Sequence, residues 1–251
     1  MDLTEHARVA SETGGQAITN KVVLRSGTVC VQACVSHELS NLYTLDLSTG
    51  EATFISAIAT EVTDIAFVGS QLYGLDRNDR GQTVQLIKID PASGKATVIG
   101  DTGLAVVGLT YNRQNNTLYA SAAKHLIAID IKTGKGTPVV SVANQDYNCG
   151  EVAFDRNSKA YITLIGYDRK KLLATCDLDR GTVTPIGDIG YPNLTSMEFI
   201  GDLLYGVTGN FFNLGRDGQL IRIDITTGAG TLVTMTNPLN RWAGISIYEA
   251  V

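Results

Sequence analysis

Two carboxylates stand where they could do chemistry together. Asp64 opens the segment Asp64-Ile65-Ala66-Phe67, and Glu151 opens the equivalent Glu151-Val152-Ala153-Phe154. Three further segments align with these: Gly108-Leu109-Thr110-Tyr111, Ser196-Met197-Glu198-Phe199 and Gly244-Ile245-Ser246-Ile247. If all five converge on an axis, Asp64, Gly108, Glu151, Ser196 and Gly244 form one ring. Two acids in such a ring could hold a cation or a polar ligand. They could act as the acid/base pair of a metal-dependent hydrolase or lyase, or simply line a wet channel.

Other reactive groups are sparse. His6, His37 and His125 form no metal-ligand spacing, and no nucleophile elbow, phosphate loop or dinucleotide fingerprint occurs. Asp76-Arg77-Asn78-Asp79-Arg80-Gly81 lacks the spaced ligands and distal Glu of a calcium loop. Cys30 and Cys34 lie four apart with no second half to complete a zinc site, and all four cysteines, with Cys149 and Cys176, read as buried free thiols. Cys149 falls in an expected loop between units. Tyr147, Tyr167, Tyr191, Phe211, Phe212 and Trp242 put aromatic groups near one presumed loop face. Aromatic platforms beside Asp or Asn suit a glycan, whereas Trp242, just before the closing strand, suits packing between blades or under the mouth better than stacking on a sugar.

A repeat must position these residues. Its unit is a strand ending in Asp, a bend closed by Gly, and a second, Thr-bearing strand. It occurs as Leu45-Asp46 to Gly50, Ile89-Asp90 to Gly94, Ile129-Asp130 to Gly134, Cys176-Asp177 to Gly181 and Ile223-Asp224 to Gly228. Successive glycines are 44, 40, 47 and 47 residues apart, and a period in the forties with several strands per unit marks a β-propeller. Gly supplies the positive φ of the bend, and the Asp accepts hydrogen bonds from its N–H groups. The repeated Asp is therefore structural.

Each unit has two strands upstream of the hairpin, rich in Ala, Gly, Ser and Thr as inner strands near a crowded axis require. The first hairpin, Leu42 to Ile55, lacks a first strand of its own, while the strand Ala243 to Tyr248 at the C-terminus has no partners after it. The economical solution is a five-bladed propeller of four-stranded antiparallel blades, closed by pairing the C-terminal strand with the N-terminal blade, with Thr28 to Val35 as that blade's second strand. The propeller domain then spans 28–251 and residues 1–27 are a tail or edge segment, with a short strand expected over Lys21 to Leu24. Six blades would need that short tail to supply most of a blade.

Composition narrows the partners. Of 251 residues, 44% are hydrophobic, enough for one sizeable core, and the 26 glycines suit a turn-rich all-β chain. A net charge of −5 with no Lys/Arg stripe argues against nucleic acid. No apolar run is long enough to span a membrane as a helix. Residues 1–16 are polar and read as no signal peptide, which leaves a cytoplasmic protein or one secreted after processing.

The pattern Leu-Tyr…Ile-Asp-x-x-x-Gly-x-x-Thr-x-Ile-Gly, carried by Leu118-Tyr119, Ile129-Asp130, Thr133-Gly134 and Thr97-Val98-Ile99-Gly100, resembles uncharacterised bacterial propeller repeats grouped near quinoprotein-like and WD40-like propellers. The resemblance covers residues 28–251. It implies the fold and no particular activity, and no quinoprotein cofactor residue matches position by position. WD-repeat proteins proper differ, since no Gly-His or Trp-Asp dipeptide occurs. Five-bladed lectins of the tachylectin type share the blade number but have more nearly identical repeats. The sequence thus favours a non-enzymatic binding or interaction module acting through the loop face and channel mouth, with a protein or a small polar ligand as partner. A lectin-like propeller and a metal-dependent hydrolase or lyase are the alternatives. No cofactor is implied, beyond the cation that Asp64 and Glu151 could hold.

Overall fold

The computed structural model describes residues 22–36, 39–77, 83–142, 146–209 and 217–249. Twenty strands form five four-stranded antiparallel sheets, the five blades of a β-propeller. The first blade contains β1 (Thr28–Ser36), β2 (Leu39–Leu45) and β3 (Ala52–Ile58). The second runs β4 (Val62–Val68), β5 (Gln71–Asp76), β6 (Gln85–Ile89) and β7 (Ala96–Asp101), innermost strand first. The third is β8 (Val106–Asn112), β9 (Thr117–Ala122), β10 (His125–Ile129) and β11 (Gly136–Ser141). The fourth is β12 (Tyr147–Phe154), β13 (Ala160–Gly166), β14 (Lys171–Asp177) and β15 (Thr182–Asp188). The fifth is β16 (Leu194–Ile200), β17 (Leu203–Thr208), β18 (Gln219–Ile223) and β19 (Gly230–Met235).

The last strand, β20 (Trp242–Tyr248), does not extend the fifth blade. It pairs with β1 as the innermost strand of the first, in the order β20-β1-β2-β3, with Val31 opposite Ile245 and Gln32 opposite Gly244. The ring is therefore closed by main-chain hydrogen bonds between the two ends of the propeller. Inner strands β4, β8, β12, β16 and β20 each pack against the next, completing a circle around the axis.

The repeated turns behave as their composition requires. Oδ1 of Asp46, Asp90, Asp130, Asp177 and Asp224 each accepts the N–H two residues on, at 2.7–3.0 Å. The turn glycines have φ of 67–81°, a region costly for any residue with a Cβ. At Gly134 a Cβ would also meet the Gly100 carbonyl oxygen of the preceding blade at 2.6 Å, so this turn doubles as a contact between blades. The hydrogen bonds hold the exposed Asp46, Asp130 and Asp224 carboxyls below the usual range.

The core lies between blades. The third and fourth, for example, share Leu126, Val140, Val152, Phe154, Ile162 and Cys176, all buried. Two expectations need correction. Of the expected strand Lys21 to Leu24, Lys21 lies outside the described residues and Val22 to Leu24 form no strand, although Leu24 packs against the cluster of Leu42, Ile65 and Leu72. Cys149 is not in a loop but inside β12, which begins at Tyr147. All four thiols are free, three buried and Cys34 half-buried, and burial pushes Cys30 and Cys149 up to about 12.

Candidate functional site on the channel axis

Every inner strand carries a register shift near its first residues: at Val62/Asp64, Val106/Leu109, Cys149/Val152, Leu194/Ser196 and opposite Gln32/Ala33 in β20. Such bulges free main-chain groups that the ladder would otherwise satisfy. The residues aligned as the axial ring sit at these bulges, and side chains take over the missing bonds.

Asp64 does most of this. Its side chain is buried, Oδ1 accepts the Ile65 N–H at 2.9 Å, and Oδ2 accepts the Leu109 N–H of the next blade at 2.7 Å. The Ser196 hydroxyl donates to Oδ1 at 3.0 Å, a bond between non-neighbouring blades that crosses the axis. Ser196 Oγ in turn accepts the Ile245 N–H at 3.2 Å. Gly244 makes room, since a Cβ there would approach Asp64 Oδ1 to 2.9 Å. The carboxyl thus ties three blades directly and a fourth through Ser196. Burial, reinforced by Glu151, raises its pKa well above the ordinary value, against the pull of these three hydrogen bonds.

Glu151 is bonded differently. Its N–H donates to Thr163 Oγ1 at 2.7 Å, but the buried Oε2 accepts no hydrogen bond from the described residues. Oε1 lies 4.0 Å from Lys171 Nζ, which also donates to the Leu194 carbonyl. Burial raises Glu151 to about 7 while Lys171 opposes it; the same burial lowers Lys171. Asp64 and Glu151 are therefore close enough to interact, as their alignment implies. Among the described residues, no group of three or more His, Cys, Asp or Glu side chains is placed to hold a metal ion.

Two functional groups were missed by reading only the ring. Lys171, on the third strand of its blade, gives no local signal that it reaches Glu151. Glu198 does give one. It lies two residues beyond Ser196, so strand alternation puts it on the same face, in a second tier with Ala66, Thr110, Ala153 and Ser246. It is buried, accepts the Phe199 N–H at 3.0 Å and is raised to about 7 by burial, with Arg113 opposing that shift and Glu249 adding to it.

The aromatic candidates do not gather into one platform. Trp242 is fully buried; its indole N–H donates to Thr236 Oγ1 at 2.9 Å and its ring meets Tyr43 edge-on at 5.3 Å. Of the two uses open to it, this is packing. Tyr147 and Tyr191 are half-buried, beside Gly166 and Gly230. Phe211 and Phe212 lie outside the described residues.

Two cavities bracket the channel region. One, of about 650 Å³, opens on the loop face and is lined by Cys34, Val35, Asp217, Leu239, Asn240 and Arg241. The other, of about 290 Å³, lies at the opposite end, where the inner strands β8, β12 and β16 finish.

No family model matches the chain, and no curated protein matches it either. Among solved structures it is similar to a chain of a nidogen/laminin complex, at 14% identity and TM-score 0.54, over 86% of this chain and 82% of that one. It is also similar to a protein of unknown function from Bacteroides thetaiotaomicron, at 14% identity and TM-score 0.52, over 72% of this chain and 53% of the other. At this identity the likeness is one of fold: the chain is a β-propeller.

Proposed function

We propose that the protein is a non-enzymatic binding module whose loop face contacts a partner protein. Exposed apolar side chains support this reading. Tyr167 is 89% and Leu239 62% exposed, and both sit in loops that emerge on the same face as the 650 Å³ cavity. Val35, at 40%, lines that cavity and has its carbonyl held by Arg241 at 3.3 Å. Apolar groups of this size beside a polar rim suit a protein contact. Asp64 supports it indirectly, because a carboxyl occupied by three hydrogen bonds has little left for substrate. The laminin complex named for one structural neighbour is in keeping with such a role but concerns that protein.

The test is partner capture with Tyr167→Asp and Leu239→Asp, against Val98→Asp on the outer strand β7, where Val98 is 54% exposed. The loop-face variants are expected to lose at least about ten-fold in affinity, as for interface anchors, and Val98→Asp to retain binding. Equal retention by all three variants rejects the loop face.

A further inference from the structure

We propose that the turn-face mouth of the channel is a separate binding site for a small zwitterion, namely a free α-amino acid with an apolar side chain. This end of the axis is remote from the loops invoked above, so the two readings fail independently.

The 290 Å³ cavity there is built from equivalent positions of successive blades. Tyr111, Phe154 and Phe199 close the ends of β8, β12 and β16 and give it an aromatic lining. Phe154 and Phe199 are each only 3% exposed and form the floor beneath the cavity, whereas the half-buried Tyr111 presents its ring to it.

Charges of both signs stand around this lining. Arg113 Nε is 2.7 Å from Glu249 Oε2, joining the third blade to the residue that follows β20. Arg156 contacts Asp202 at 3.1 Å, joining the fourth blade to the fifth. Both pairs are substantially solvent-exposed, and such pairs are easily exchanged for other partners. Each guanidinium uses one nitrogen in its pair and keeps donors for a carboxylate in the fork geometry that arginine favours. Asp155, also at the cavity, uses Oδ1 to accept the Asn157 and Lys159 N–H groups of its turn.

The balance of charge selects the ligand class. A simple anion would find two guanidiniums but three carboxylates lining the cavity, Asp155, Asp202 and Glu249, with the buried Glu198 also facing Arg113. A metal ion would face the guanidiniums, and no set of three acidic, His or Cys ligands is assembled among the described residues. A molecule carrying an ammonium and a carboxylate together satisfies both signs without stripping either ion pair of its countercharge. The ring of Tyr111 above the Phe154 and Phe199 floor then takes a small apolar side chain, and the volume holds about one residue. For a ligand of so few atoms in an open site, the dissociation constant is expected on the order of 1 mM.

Backbone-amide NMR of the full chain, titrated with L-leucine, tests this. Saturable shifts are expected at residues 111–114, 154–156 and 199–202. N-acetyl-L-leucine, which lacks the ammonium, and L-leucinamide, which lacks the carboxylate, are each expected to bind at least about ten-fold more weakly, as loss of a charge-assisted contact implies. Leucyl-leucine separates a free amino acid from a peptide and is expected to bind more weakly than leucine. The double variant Arg113→Gln/Arg156→Gln, altered only at the exposed rim, is expected to keep its amide spectrum elsewhere and lose the leucine response. Absence of shifts at about ten times the expected constant overturns the proposal. So does equal binding of either singly charged analogue, tighter binding of the dipeptide, or an undiminished response in the double variant.

Discussion

The two ends of the channel carry the same kind of residue in different states of employment. Near the loop face, Asp64 accepts three hydrogen bonds, from β4, β8 and β16, and is sealed by Gly244. Towards the turn face, Glu198 accepts the N–H of its neighbour Phe199 and senses the charges of Arg113 and Glu249, which line the cavity there. Both are buried acids on inner strands. Their difference teaches that an acid near a propeller axis is read by its partners: Asp64 accepts N–H groups that the bulges free and is a structural tie, whereas Glu198, and Glu151 at a bulge whose own N–H is taken by Thr163, are buried carboxyls raised to about 7.

The largest effect that tests this contrast is the loss of Asp64. Asp64→Ala leaves the Leu109 and Ile65 N–H groups and the Ser196 hydroxyl without their acceptor, and is expected to cost about 3–5 kcal/mol in denaturant unfolding. A cost below about 1 kcal/mol would remove the distinction between the two ends, since that is the range of an ordinary surface change.

Next in size is the pH dependence at the other end. Glu198 is raised from 4.5 to about 7 in the folded chain, so the fold holds its proton more tightly than the unfolded chain does. Its stabilising contribution is complete below pH 4.5 and declines as pH rises to about 7, a loss of about 3 kcal/mol for a shift of this size. Glu151, also raised to about 7, acts in the same direction. Unfolding midpoints measured from pH 5 to pH 8 should therefore fall for the wild type and fall less for Glu198→Gln, which carries no charge to bury. Equal slopes for the two proteins would show that Glu198 does not titrate in this window.

The smallest effect belongs to the rim. Arg113→Gln breaks an ion pair with Glu249 whose side chains are 39% and 45% exposed, and its cost in stability is expected within about 1 kcal/mol. A larger loss would make the turn-face mouth as structural as the Asp64 end.

Much of this arrangement was legible in the chain. The Asp-to-Gly turn is local chemistry, complete within five residues, so its five copies announce five blades wherever they are met. Closure followed from counting, because the segment ending at Tyr248 had no partners after it and the first hairpin lacked an inner strand. Glu198 was legible too, through the alternation that places it on the face of Ser196. Lys171 beside Glu151 was not, since β13 separates β14 from β12 in the sheet and no local spacing links the two residues. Trp242 read as a packing residue from its place before the closing strand, and Tyr43 and Thr236 around it are what hold it there.

Sequence by itself determined the repeat, the number of blades and the ring of inner positions, because hydrogen bonds of turns and the alternation of strands act over a few residues. Tertiary structure alone decided what the ring residues do. Bulges appear where five inner strands meet around one axis, and the partners of the ring groups are set by that meeting, the Leu109 N–H and the Ser196 hydroxyl reaching Asp64 from 45 and 132 residues away.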